Sequence, residues 1–187
     1  MDGKDRMTCL RCALGGSLRL YFINNTFMFN QHGLESPGGY DASALFVDFS
    51  AGGMVTSQAF IANNLFWANE TPDLFTNASG TTYIYNNNYL QRVGPAPEFE
   101  GGNLSVDPML VQAGIDFTPA LGSPLIDSGR SEPTPPIPFP TPFSLDWSHG
   151  TQDFYNSLLG RVKGEGVDIG AVESNFLDKI FSDRFQP

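Results

Sequence analysis

The sequence predicts an all-β fold, specifically a parallel β-helix, on three observations. First, 20 glycines and 14 prolines punctuate the 187-residue chain, and helix start and stop signals are scarce. Second, short runs rich in Phe, Tyr, Ile, Val and Leu lie between these breakers, at residues 18–29, 44–49, 55–67, 81–90 and 167–172. Their length and their turn-forming boundaries are those of strands. Third, an Asn pair recurs inside the runs: "INNTF" at 23–27, "ANNLF" at 62–66 and "YNNNY" at 85–89. Asparagine is depleted in strands, and pairs of it mark turns.

Aligning the Asn pairs brings out columns. Phe22, Ile61 and Ile84 fall together, as do Asn24, Asn63 and Asn86, then Asn25, Asn64 and Asn87, then Phe27, Phe66 and Tyr89, then Asn30 and Asn69. The step from Asn64 to Asn87 is 23 residues; the step from Asn25 to Asn64 is 39, the excess being a Gly-rich insertion ("HGLESPGGYDAS") and an extra strand. Periods of this size mark a solenoid, and strands without a helix per repeat make it a β-solenoid. Coils of such a fold stack about 4.8 Å apart, so identical carboxamides at one corner can hydrogen-bond up and down the stack. Asn also tolerates the left-handed backbone of a tight corner. One of the two Asn columns is the buried ladder and the other the corner residue. The competing reading places each pair at a surface hairpin of a β-sandwich, which leaves the aromatic columns on both flanks without a cause.

The elements follow in order. Residues 1–17 are a disordered start or a partial coil; residues 18–131 are the coils, about four of them. Residues 101–111 are one more short strand with a turn, followed by "DFTPALGSPLIDSG" at 116–129. Residues 132–150 are a flank loop whose stretch 132–143 holds six prolines in twelve residues. That stretch excludes helix and strand interior, and is apolar enough to lie extended along the solenoid's side. Residues 151–174 form a closing segment with a short helix at 153–159, and residues 175–187 are a tail.

The last third resembles the C-terminal part of secreted right-handed parallel β-helix repeat proteins, chiefly bacterial, of the choice-of-anchor Q type. The likeness is carried by Asn103, Asp107 and Pro108, by Ser123, Pro124, Ile126, Asp127 and Gly129, and by Asp168, Ile169, Gly170, Ala171 and Glu173. Arg161 fits the family's Asp-x-x-Gly-x-x-Arg step, whereas the spacing from Asp153 to Gly160 is stretched and leaves Asp153 off the pattern. The resemblance implies a right-handed, single-stranded helix and an extracellular or cell-surface location. It further implies that the chain is the C-terminal part of a longer β-helix, whose remaining coils are its partner.

Composition bounds the function. With 41% hydrophobic residues the chain can bury a core, and its length suits one domain. Ten basic against twenty acidic groups give a net charge of −10. This disfavours nucleic acid and anionic membrane surfaces, while fitting hard cations such as calcium. No run approaches the roughly 18 apolar residues of a membrane span, and the first residues are not a signal peptide. Cys9 and Cys12 form a lone C-x-x-C. His32 and His149 are too distant for zinc-ligand spacing, so no metal site is expected, and the pair is read as small apolar side chains, bridged in an oxidising compartment. Asn24, Asn69, Asn77 and Asn103 satisfy N-x-S/T, read here as coincidences of an Asn-rich repeat.

Four residues invite a catalytic reading: Asp127, Asp153, Arg161 and Asp168. Carboxylates or a basic group on a β-helix can cut polysaccharide. The structural reading of the same residues is a turn cap at Asp127 and an Asp168–Arg161 pair pinning the closing strand. Trp67, one position beyond the Phe27–Phe66–Tyr89 column and so pointing the other way, and Trp147 are the candidate sugar-stacking residues. The expectation is a non-enzymatic β-helix segment, structural or binding a polysaccharide or surface glycan. The alternative is part of a polysaccharide lyase or glycoside hydrolase of the pectin-lyase-like fold.

Overall fold

A computed structural model of the chain describes residues 10–11, 19–30, 43–48, 57–70, 72–76, 80–130 and 164–174. These residues are all-β, with twelve short strands and no helix. In chain order they are β1 (Leu10–Arg11), β2 (Arg19–Ile23), β3 (Thr26–Met28), β4 (Leu45–Asp48), β5 (Gln58–Ala62), β6 (Leu65–Trp67), β7 (Leu74–Thr76), β8 (Thr81–Tyr85), β9 (Arg92–Val93), β10 (Phe99–Gly101), β11 (Leu110–Gln112) and β12 (Asp116–Pro119). The strands are short because left-handed residues interrupt them. Asn24 follows β2, Asn63 follows β5 and Asn86 follows β8, at φ of 57°, 56° and 45°.

Ten of the strands make three parallel sheets. Their orders are β1-β4-β7-β9, β10-β8-β5-β2 and β3-β6. The second is in continuous register: Phe22 pairs with Ile61, Ile61 with Ile84 and Ile84 with Glu100. In the third, Phe27 pairs with Phe66, and parallel bridges carry the line on from Leu65 to Asn88 and from Asn88 to Leu104. The first pairs Leu45 with Leu74 and Leu74 with Arg92.

Alternation along each strand sends side chains to two apolar environments. One cluster draws on all three parallel sheets: Leu45, Val47 and Leu74, Ala59, Ile61 and Ile84, and Phe66, with Leu20, Phe22, Phe27 and Tyr89 packed against it. On the other face of the second sheet lie Phe60, Ala62, Tyr83 and Tyr85. Burial on both faces explains why the runs are near-continuously hydrophobic rather than alternating. Stacking in register aligns the rings. Phe60 lies 4.8 Å from Tyr83 at 4°, Phe27 4.8 Å from Phe66 at 7°, and Phe46 4.8 Å from Phe75 at 4°.

The structure differs from the sequence reading in three places. The expected strand at 167–172 is absent. Gly170 sits at φ 116°, and the backbone bonds there go to scattered acceptors, with Ile169 N donating to Leu125 O and Gly170 N to Asn63 O. No ladder can form on such a path. Residues 101–111, read as one more short strand with a turn, end in β11, which pairs antiparallel with β12, a strand not foreseen, the pair closing with Ile115 N donating to Gln112 O. Strands β7, β9 and β10 were not foreseen. The helix expected at 153–159, the whole of the proline-dense loop at 132–150, the tail, Cys9 and Cys12 lie outside the described residues.

Candidate functional site

The Asn corners are the most densely bonded polar feature of the described chain. Asn25 Nδ2 donates to Asn64 Oδ1 at 3.0 Å, Asn64 Nδ2 to Asn87 Oδ1 at 2.9 Å, and Asn87 Nδ2 to Asn103 Oδ1 at 3.1 Å. Each Oδ1 also accepts the backbone N–H of the Asn before it, at 3.0, 2.9 and 2.9 Å. Each Nδ2 reaches back to a main-chain carbonyl as well: Asn64 to Phe22 O, Asn87 to Ile61 O and Asn103 to Ile84 O. Asn64 and Asn87 are 0% exposed, so this saturation is what permits carboxamides in the interior.

The neighbouring column does different work. Asn24, Asn63 and Asn86 hold the left-handed backbone, and the side chains of Asn63 and Asn86 clasp a returning segment. Asn63 Oδ1 accepts from Arg130 N while its Nδ2 donates to Arg130 O, both at 2.8 Å, and Asn86 Nδ2 donates to Ser128 O at 2.9 Å. The Arg130 guanidinium lies 5.2 Å from the Tyr85 ring centre. Asn88 clasps Val106 in the same two-point way, at 3.0 Å each.

A second corner repeats the arrangement five positions on. Phe29 and Ala68 are left-handed at 56° and 53°, followed by Asn30 and Asn69. Asn30 Nδ2 donates to Asn69 Oδ1 at 2.9 Å, and Asn69 Nδ2 to Asp73 Oδ1 at 2.7 Å. The other Asp73 oxygen accepts from Leu90 N at 2.7 Å, so a carboxylate closes this shorter file.

The carboxylates of the closing segment are tied to main chain. Asp168 Oδ1 accepts from Asp127 N at 2.8 Å, and its Oδ2 accepts from both Ser174 N and Ser174 Oγ at 2.6 Å. Asp127 Oδ1 accepts from Gly166 N at 2.8 Å, and Glu173 Oε2 from Asp168 N at 3.2 Å. Asp168 is 2% and Glu173 3% exposed. Burial, with a smaller push from the Asp127 charge, raises the Asp168 carboxyl above its usual range against the pull of the Ser174 and Asp127 donors. A carboxyl so enclosed is placed to fasten residues 125–129 to 166–174, not to meet a sugar chain in solvent. Asp153, Arg161 and Trp147 lie outside the described residues, so the expected Asp168–Arg161 pair falls there too.

Trp67 points away from Phe66, as alternation requires, but it does not stand free in solvent. It packs half-buried beside Leu65, Leu125 and Ile169, because the closing segment covers that face of β3 and β6. Among the described residues no group of three His, Cys, Asp or Glu side chains is arranged to hold a metal.

Three features went unread in the sequence. Asn103 is a fourth rung; its left-handed predecessor is Gly102 (φ 67°), so the signal was Gly-Asn, chemically equivalent to Asn-Asn at a corner. Asp73 substitutes for an Asn. Tyr89, Arg92 and Glu100 form a polar group: the Tyr89 hydroxyl donates to Glu100 Oε1, and Arg92 Nε lies 3.6 Å from the same oxygen. Comparison with protein-family models, curated proteins and solved structures gives no match to this chain.

Proposed function

We propose that the chain is a right-handed, single-stranded parallel β-helix of about four coils with a C-terminal closing segment. It acts as a non-enzymatic scaffold within a longer exported or cell-surface protein and offers its flanks to a polysaccharide or surface glycan. One observation carries the reading: the file Asn25–Asn64–Asn87–Asn103 links positions 39, 23 and 16 residues apart, each through the same donor and acceptor. Three parallel sheets that advance in the same chain order fit successive coils around one interior. The hand follows from the strong right-handed preference of parallel crossover connections. The export and the longer parent rest on the likeness of the segments at 103–108, 123–129 and 168–173 to secreted β-helix repeat proteins. The use of Asp127 and Asp168 as main-chain acceptors favours scaffold over catalyst, since a glycosidase needs two carboxyls facing one bond at about 5–10 Å.

The test is a glycan array together with incubation on neutral and acidic polysaccharides, read by new reducing ends and by absorbance of unsaturated products. The reading expects retention of at least one glycan class and no turnover. Turnover that disappears in Asp168→Asn, with the fold retained by circular dichroism, sinks it in favour of the lyase or hydrolase.

A further inference from the structure

The two ends of the stack are chemically unlike. At one end the interior columns finish in charge and hydroxyl. Arg92 follows Leu45 and Leu74, Glu100 follows Phe22, Ile61 and Ile84, and Tyr89 follows Phe27 and Phe66. The three polar groups satisfy one another while facing water in part, with Arg92 17% and Glu100 36% exposed. This is how a column of apolar side chains can stop at solvent. At the other end β1, β2 and β3 are, among the described residues, all edge strands, and the described columns finish in Leu20, Phe22 and Phe27, each only partly buried. Open edges backed by apolar surface favour further strand pairing.

Among the described residues the Asn files break off at that same end. Along each file an Oδ1 accepts from the backbone N–H and Nδ2 of the preceding Asn. Asn25 Oδ1 and Asn30 Oδ1 are the terminal acceptors, and no donor among the described residues reaches either. Asn25 Nδ2 bonds the carbonyl two residues earlier, Ile23 O at 3.1 Å, as Asn87 Nδ2 does with Tyr85 O, but unlike Asn64 and Asn87 it finds no carbonyl of a preceding strand among the described residues.

We infer that the β2–β3 end is a docking surface for one further coil. The occupant is an extended polypeptide segment laid parallel to β2 and β3, with Asn at two corners five residues apart and apolar side chains over Leu20, Phe22 and Phe27. It continues the intramolecular coil-to-coil interface in the same register and supplies both missing donors. A second copy of the chain does not fit. Stacked head to tail, it brings the Glu100 carboxylate onto Phe22. Stacked head to head, it pairs β2 antiparallel and offers Asn25 no Nδ2. The inference rests on the β-helix reading above.

The experiment titrates a labelled peptide with the sequence of residues 57–70, which already spans strand, corner, strand and corner, into the full chain. Fluorescence anisotropy and amide hydrogen exchange are the readouts. Saturable one-to-one binding is expected, with slowed exchange at 19–23 and 26–28. A peptide carrying Leu at the positions of Asn64 and Asn69 should bind at least about tenfold more weakly, since two donor sets are lost. Absence of saturable binding while β5 and β8 amides stay slow refutes the docking surface and spares the β-helix. Fast exchange at β5 and β8 refutes both. A concentration-dependent dimer that displaces the peptide refutes the inference by naming a second copy as the occupant.

Discussion

Asn64→Leu isolates the ladder, because leucine keeps the heavy-atom branching of asparagine, with somewhat bulkier methyl groups, while removing every polar atom of the side chain. Four bonds disappear: Asn25 N and Nδ2 lose Asn64 Oδ1, and Phe22 O and Asn87 Oδ1 lose Asn64 Nδ2. The Asn64 backbone N–H keeps Asn87 Oδ1. A net loss of about 0.5–1.5 kcal/mol per bond gives roughly 2–6 kcal/mol. The leucine side chain recovers part of this by burying apolar atoms at a site 0% exposed, which narrows the expectation to about 2–4 kcal/mol. Against a typical domain stability of about 5–15 kcal/mol this is a large fraction. Urea denaturation followed by far-ultraviolet circular dichroism measures it, and a double-mutant cycle with Asn87→Leu should show coupling of about 0.5–3 kcal/mol. A loss under about 0.5 kcal/mol, or strict additivity with Asn87→Leu, refutes the reasoning that these carboxamides act as one file.

Other consequences can be checked in the same assays. Asn63→Gly keeps the 56° backbone but loses the two-point clasp of Arg130, whereas Asn63→Ala loses the clasp and adds strain of about 1 kcal/mol; alanine should therefore be the less stable by that amount. Asp168 has a folded-state pKa above its unfolded value, so the folded state binds more protons across that window and stability falls as pH rises through it. The non-titrating Asp168→Asn lacks this slope, and the stability gap between wild type and variant should narrow as pH rises from about 4; a constant gap from pH 3 to 7 contradicts the assignment. Burial pushes the Tyr85 phenol up to about 12, so its contribution is complete below pH 10 and lost as pH rises toward 12. Phenolate absorbance should therefore rise together with loss of β signal, and a full phenolate yield at pH 10 with the fold intact is the opposing result.

The sequence carried the repeated parts of the fold because repetition averages out noise. Phe22, Ile61 and Ile84, or Asn25, Asn64 and Asn87, are legible as columns since each repeat solves the same packing problem with the same residue type. The short strands β7, β9 and β10 lack that redundancy. They span three, two and three residues, and Arg92 and Glu100 occupy ladder positions that are apolar in the strands paired before them. A hydrophobic pattern cannot announce a strand whose inward side chains are charged. Which Asn column faces inward was equally hidden, because both roles suit asparagine. The answer depends on φ at Asn24, Asn63 and Asn86, a property of the corner and not of the residue type. At 167–172 the alternating apolar residues imitate a strand, but Gly170 and the pull of Leu125 O and Asn63 O on successive amides take the chain off a ladder path.

The central claim is that successive coils stack parallel, in register. Nuclear Overhauser contacts between backbone protons of β2, β5 and β8 test it most directly. The account predicts contacts between Phe22 and Ile61 and between Ile61 and Ile84, and none between Phe22 and Ile84. Cross-strand contacts between Ile23 and Thr26 in the antiparallel pattern of a hairpin turning at Asn24–Asn25, with the Phe22–Ile61 contact missing, would contradict it.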